Sequence, residues 1–139
     1  MANYYASART NYVHIENLEG LTLALDPFEI IIAPSKDQQG LYCFLADSDS
    51  GGWPSVAYIH DEDTEVEFSF ENTIMPYIKE GECLVTIEVG AEKLRYLEGY
   101  TVAYVRHGDK VKHTSINLDN IYIQAQYELG CVDITQANY

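Results

Sequence analysis

Apolar and polar positions alternate over most of this chain, and the period changes at only a few places. Residues 4–15, YYASARTNYVHI, read as one long first strand with small residues along it. From Glu16 to Leu25 the spacing widens: Leu18, Leu21 and Leu25 recur at helical intervals, and Asp26-Pro27 stops the run. FEIIIAP (28–34) and LYCFLAD (41–47) flank the turn SKDQQG and predict a hairpin of buried strands. After the loop SDSGGWPS (48–55), VAYIH and EVEFSF predict a second strand pair, joined through Asp61-Glu62-Asp63-Thr64.

Further along, Asn72 is placed to cap a short helix ending at Gly81, with Pro76 near the first turn, where a missing N–H is tolerated. ECLVTIEVG (82–90) and LRYLEGYTVAYVRHG (94–108) alternate as strands, and Glu98-Gly99 suggests a bulge in the second. His107-Gly108-Asp109 then turns the chain into KVKHTSI. The last helix has the clearest signals. Asn117 caps it, Ile116 and Ile121 have the spacing of a hydrophobic staple, and Gly130 ends it. Leu118, Ile121, Ala125 and Leu129 form a stripe that predicts packing on the sheet. Strands outnumber helices and short turns join them. The expectation is one α+β domain over residues 1–130, a mainly antiparallel β-sheet with two or three helices packed on one face. Residues 131–139 are expected to be a flexible tail.

Charge changes this picture. The 139 residues carry 22 acidic against 8 basic side chains, a net charge of −14. The chain is long enough to bury a core without disulfides or a metal. Such a field disfavours nucleic acid and anionic membranes, and it favours cationic partners with fast, salt-sensitive association. Acidity that serves solubility alone is the competing explanation. The start, Met1-Ala2-Asn3-Tyr4-Tyr5, has neither the charge nor the apolar core of a secretory signal, and no apolar run nears the roughly 20 residues of a membrane span. Cys43, Cys83 and Cys131 are an odd, widely spaced set, as expected of reduced thiols in a cytoplasm.

The carboxylates crowd into HDEDTEVEFSFE, residues 60–71, which holds six of them in twelve positions. A strand here needs Val66, Phe68 and Phe70, whereas Glu65, Glu67 and Glu71 add nothing to folding that Thr or Lys would not. Residues two apart on a strand point the same way and lie about 6.7 Å apart, close to the spacing of phosphates along a nucleic-acid strand. Asp61, Glu62 and Asp63 extend the row through the turn. Like charges packed this closely cost stability, so the row makes best sense with a cationic surface to receive it.

Catalytic patterns fail one by one. Cys43 and Cys83 have no basic neighbour in sequence to lower a thiol pKa. Ser50 and Ser55 lack a nucleophile elbow, and Gly51-Gly52 lacks the Lys-Ser or Lys-Thr of a phosphate loop. No catalytic residue and no cofactor are therefore expected. Asp47 and Asp49, in Asp47-Ser48-Asp49-Ser50-Gly51, open like a calcium loop but lack its third acidic residue and distant bidentate Glu. They are cation candidates, with His60 as a further ligand, against the alternative of a polar turn. The four histidines lack zinc spacing. Trp53, the single tryptophan, is either a partner-binding anchor or a lid folded back over the sheet. Lys93, Arg95, Arg106, Lys110 and Lys112 are five of the eight basic residues and all lie in the C-terminal half, and Arg95 and Arg106 are expected side by side on paired strands.

Three stretches, ANYYASARTNYV, SGGWPS and VGAEKLRYLEGY followed by VAY, resemble a family of small acidic proteins of plasmids, phages and integrative elements. LDNIY, then Ala125 and Leu129-Gly130, is similar to that family's last helix. The resemblance implies a mobile-element protein that counters host defence, of the anti-CRISPR or anti-restriction kind, and it transfers no catalytic residue. The partner expected is then the basic surface of a nucleic-acid-binding defence complex, met through Asp61, Glu62, Asp63, Glu65, Glu67 and Glu71. The alternatives are a small-ligand or divalent-metal enzyme using the Asp47–Trp53 loop, and an acidic accessory protein without mimicry.

Overall fold

The computed structural model describes residues 4–59, 61–92 and 96–137. The predicted first strand is two, β1 (Tyr4–Thr10) and β2 (Val13–His14). Asn11 separates them: its side chain donates to the Cys83 carbonyl at 3.0 Å and accepts from the Val85 N–H at 2.8 Å, so a side chain takes over the ladder where the backbone turns away. Helix α1 (Leu18–Leu25) begins at Asn17, whose Oδ1 accepts from the Gly20 N–H at 3.0 Å, and ends at Asp26. Leu21 and Leu25 are buried, as their spacing predicts. Strands β3 (Ile30–Pro34) and β4 (Leu41–Ala46) form the expected hairpin, though Ile31 of β3 is exposed.

β7 (Cys83–Glu92), β8 (Tyr96–His107) and β9 (Lys110–Asn117) complete a seven-stranded antiparallel sheet of order β2-β4-β1-β7-β8-β9, with β3 also paired to β4. The β7–β8 register runs unbroken from Cys83 opposite Val105 to Glu92 opposite Tyr96, so Glu98-Gly99 is not a bulge. Gly99 has a different reason to be small: a Cβ there would come within 3.0 Å of the Leu118 side chain.

Between the sheets, the structure replaces the helix expected from Asn72 to Gly81. Ser69 is the cap, accepting from the Asn72 N–H at 3.0 Å, and a π-helical turn (Phe70–Ile74) runs into a 3-10 turn (Met75–Tyr77). Pro76, with no N–H to donate, suits the start of the second turn and would interrupt a longer helix. This tight path brings Phe70, Ile74, Met75 and Ile78 into one core with Leu21, Phe44 and Leu84. Arg106 fastens it to β8. Its guanidinium donates to the Met75 carbonyl at 3.2 Å, the Ile78 carbonyl at 2.7 Å and the Gly108 carbonyl at 2.8 Å, and reaches Glu16 at 3.2 Å.

The molecule is thus an α+β domain in which α1 and these turns cover one face of the sheet. On that face point Leu84, Thr86 and Glu88 of β7. The last helix, α2 (Asn120–Leu129), departs from expectation in its packing, not in its ends. Asn117 and Asn120 cap each other, side chain to N–H, at 3.2 and 2.5 Å, and Gly130 closes the helix in the left-handed region at φ 69°. Yet none of its residues is buried; Ile121 is 58% and Leu129 77% exposed. The cap and the two-residue connection Leu118-Asp119 point the helix away from its own sheet, so of the predicted stripe Leu118 lies against Gly99 while Ile121 and Leu129 stay exposed. Beyond Gly130 the tail touches the helix where the Ala137 N–H donates to the Tyr122 hydroxyl at 2.7 Å.

Candidate functional site

β5 (Val56–Ile59) and β6 (Thr64–Glu67) form a separate two-stranded antiparallel sheet, the strand pair predicted around the acidic turn. Ala57 and Val66, opposite one another, pack towards the core together with Phe68. The other side of the ribbon is exposed. There Glu65 lies opposite Tyr58 and Glu67 opposite Val56, so no cation faces either carboxylate across the strands. Asp61, Glu62 and Asp63 are exposed in the turn, with Asp63 at φ 51°, a left-handed conformation that Asp tolerates better than most residues. Tyr58 donates its hydroxyl to Asp63, and this bond holds its proton above the ordinary tyrosine range. Among the described residues none of these five carboxylates has an ion-pair partner. The sequence explains why: residues 37–78 contain nine carboxylates and no Lys or Arg.

Glu71 does not join the row. It sits on the π-helical turn rather than on β6, next to Asn72 and close to Arg106 and Asp109 around a cleft of about 370 Å³. Its charge, after burial, helps raise the Tyr104 pKa. Asp47 and Asp49 are exposed in the preceding loop, and no group of three possible metal ligands forms among the described residues. His60 of the metal reading, and the Arg95 expected beside Arg106, lie outside the described residues. Cys83, expected within the sheet's apolar alternation, is exposed, whereas Cys43 is buried.

What fixes the acidic ribbon in place is a residue that the sequence reading passed over. Glu88 is 7% exposed, on the core side of β7. Its Oε1 accepts from the Trp53 N–H at 2.8 Å and its Oε2 from the Tyr4 hydroxyl at 2.9 Å, and the Tyr100 hydroxyl is near enough to feel its charge. Burial and then Glu88 push the Tyr100 pKa up to about 12, and the same two causes raise Tyr4. The carboxylate therefore pins the loop that leads into β5. Two glycines allow the close approach. A Cβ at Gly51, at φ 83°, would fall 1.8 Å from the Ala6 carbonyl, and one at Gly52 would fall 3.0 Å from Glu88 Oε1. Trp53 then lies edge-on to Phe70, ring centroids 4.8 Å apart, and its Nε1 is buried without a hydrogen-bond partner among the described residues. Trp53 is thus half-buried and folded back against the core, the placement of a lid over the sheet.

Tyr4, the Gly51-Gly52-Trp53 loop, Gly90 and Tyr100 meet here, so three separate stretches of the chain converge on Glu88. A Cβ at Gly90 would lie 2.5 Å from the Tyr4 ring. One sign of Glu88 was available in the sequence, its parity with Leu84 and Thr86 in a strand whose intervening positions face away. Comparison of the chain with protein-family models, with curated proteins and with solved structures finds no match.

Proposed function

We propose that this protein is a non-enzymatic, acidic binding protein that acts in the cytoplasm, presenting the outer side of the β5–β6 ribbon to a basic surface built to hold nucleic acid. The observation that carries the reading is the ribbon itself. It forms a sheet of its own with Glu65 and Glu67 on the outward side, an acidic turn at its tip, and no cation across the strands or in the surrounding 42 residues, 37–78. A short ribbon anchored at its base and charged along its exposed side enters a groove more readily than a flat acidic face does. Such a ribbon gains association rate from steering, and its binding weakens as salt rises. With the family resemblance, the target class is a host defence complex of the restriction or CRISPR kind. Glu71 contributes from its own site or not at all, since it is not aligned with the row.

The test is competition. The parent protein should displace duplex DNA or guide RNA from a sensitive defence complex in a mobility-shift assay, with steep loss at high salt. The pair Glu65→Lys and Glu67→Lys should abolish displacement, since each interfacial charge contributes about 1–3 kcal/mol and reversal costs more. A reversed variant that competes as well as the parent at low salt would sink the reading.

A further inference from the structure

The helical segments cover one face of the sheet; across β1, β7, β8 and β9 the opposite face is open, and its chemistry differs from the rest of the molecule. On the four strands β1, β7, β8 and β9 the register assigns every described residue to one face or the other. The open side carries Ile87, Val89, Gly99, Thr101 and Ile116, and among its described residues there is no carboxylate at all. Its charges are basic: Arg9, Lys110 and Lys112. In a chain of net charge −14, an exposed face without one acidic group has been kept clear for something other than water. Ile87, Val89, Ile116 and Leu118 line an apolar groove of about 220 Å³ upon it, with Val89 57% and Ile116 63% exposed.

Helix α2 begins at the rim of that groove. It has ten residues, a single charged one (Glu128), and no buried side chain. Isolated helices shorter than about 12–15 residues are marginal in water, and their stability in proteins comes from packing an apolar side. This helix therefore needs a surface. It does not reach its own sheet: the Asn117–Asn120 cap and the Leu118 N–H bond to the Gly99 carbonyl at 2.9 Å set its exit direction within two residues.

We infer that the open face receives α2 of a second copy of this chain, in a two-fold dimer where each helix lies across the other's sheet. A second copy supplies what each surface lacks: an apolar helix for the groove, and a groove for the helix. Asp119, Glu128 and Asp133, which flank or belong to the helix, bring carboxylates to a face whose own charges are Arg9, Lys110 and Lys112. The contact is isologous, so it closes at two copies and does not grow into a filament. It leaves the acidic ribbon uncovered, because β5 and β6 belong to the other side of the molecule, the side of the core.

Sedimentation equilibrium of the full chain tests this. The parent should be a dimer at micromolar concentration, and because repulsion between two chains of net charge −14 outweighs the few exposed ion pairs that the helices bring, the dimer should tighten several-fold as salt rises, opposite in sign to binding through the ribbon. Val89→Lys on the face and Ile121→Asp on the helix should each give monomers with the parent's circular dichroism in the strand region. Both positions are already exposed, so neither variant threatens the fold. Mixed together, the two variants should form a heterodimer, since one intact helix still finds one intact face. A parent that stays monomeric, single variants that stay dimeric, or a mixture that stays monomeric would each overturn the arrangement. The first of these outcomes would assign the face to a different chain.

Discussion

Replacing Glu88 by Ala should detach the Trp53 loop and cost about 2–4 kcal/mol of stability, for reasons that can be worked from its contacts. The carboxylate is 7% exposed and accepts at 2.8 Å from the Trp53 N–H and at 2.9 Å from the Tyr4 hydroxyl. A hydrogen bond to a charged acceptor contributes roughly 1.5–3 kcal/mol, and a donor left buried without a partner adds a penalty of about 1–3 kcal/mol. Against this stands the desolvation of the carboxylate, which alanine relieves, and the freedom of Tyr4 and Tyr100 to turn towards water. The balance is smaller than the sum of the bonds. Glu88→Gln keeps one acceptor oxygen for the Trp53 N–H and loses the charge, so it should cost about half as much, roughly 1–2 kcal/mol. Urea unfolding followed by circular dichroism gives these differences.

Trp53, the single tryptophan, supplies a second and local readout. Its ring is packed against Phe70, so its emission in the absence of urea should shift to longer wavelength in Glu88→Ala and little in Glu88→Gln. Because the loop leads directly into β5, the alanine variant should also weaken any binding through the acidic ribbon while leaving all five of its carboxylates in place. An alanine variant with the parent's urea midpoint and the parent's emission would refute the reasoning, since Glu88 would then be a passive filler of the core face.

Other consequences are simpler to state. Arg106→Lys keeps the charge but loses the fork that holds the Met75, Ile78 and Gly108 carbonyls, and should lower the unfolding free energy by about 2 kcal/mol in urea titrations. Tyr100 ordinarily ionises at 10.0 but is pushed up to about 12 in the fold, so between those values the unfolded chain holds fewer protons and stability falls as pH rises. Tyr100→Phe should flatten that alkaline limb, measured as unfolding free energy against pH. Glu65→Lys with Glu67→Lys should change stability by no more than about 0.5 kcal/mol, since both side chains stand in water, and a larger loss in thermal melts would mean that the ribbon depends on them.

The parts of the fold legible in the sequence were those set by period and by punctuation. Alternation located the β3–β4 and β5–β6 hairpins, and Asn17, Asn117 and Gly130 mark helix ends because capping is a local affair. What failed was whatever a local pattern leaves undetermined. The apolar stripe of α2 indicates that a surface must cover it and not whose surface that is, so packing on its own sheet was the natural and mistaken expectation. Asn72 looked like a cap because Asn, Ser and Asp are equivalent in that role, and Ser69 took it once Phe70 and Ile74 both turned inward. Glu98-Gly99 resembled a bulge because a glycine in a strand has two common causes, and here the cause was Leu118, nineteen residues on. Glu88 was hidden for a related reason: its partners, Tyr4 and Trp53, are 84 and 35 residues away, and only the fold makes their donors converge.

The distribution of charge bears on whether the acidity serves solubility alone. Charges selected for solubility should spread over all surfaces that water reaches, and most of all over exposed apolar ones, where they prevent association. This protein does the reverse. Residues 37–78 concentrate carboxylates without a balancing cation, while the open sheet side is exposed, apolar and free of them among the described residues. Two surfaces with opposite chemistry on opposite sides of one sheet imply two interactions with opposite responses to salt. Screening weakens a ribbon that meets a cationic groove, and it relieves the repulsion between two like-charged chains that meet through apolar faces. A solubilising coat predicts neither trend. Salt titrations of partner binding and of self-association, run on the same protein, therefore separate the three cases.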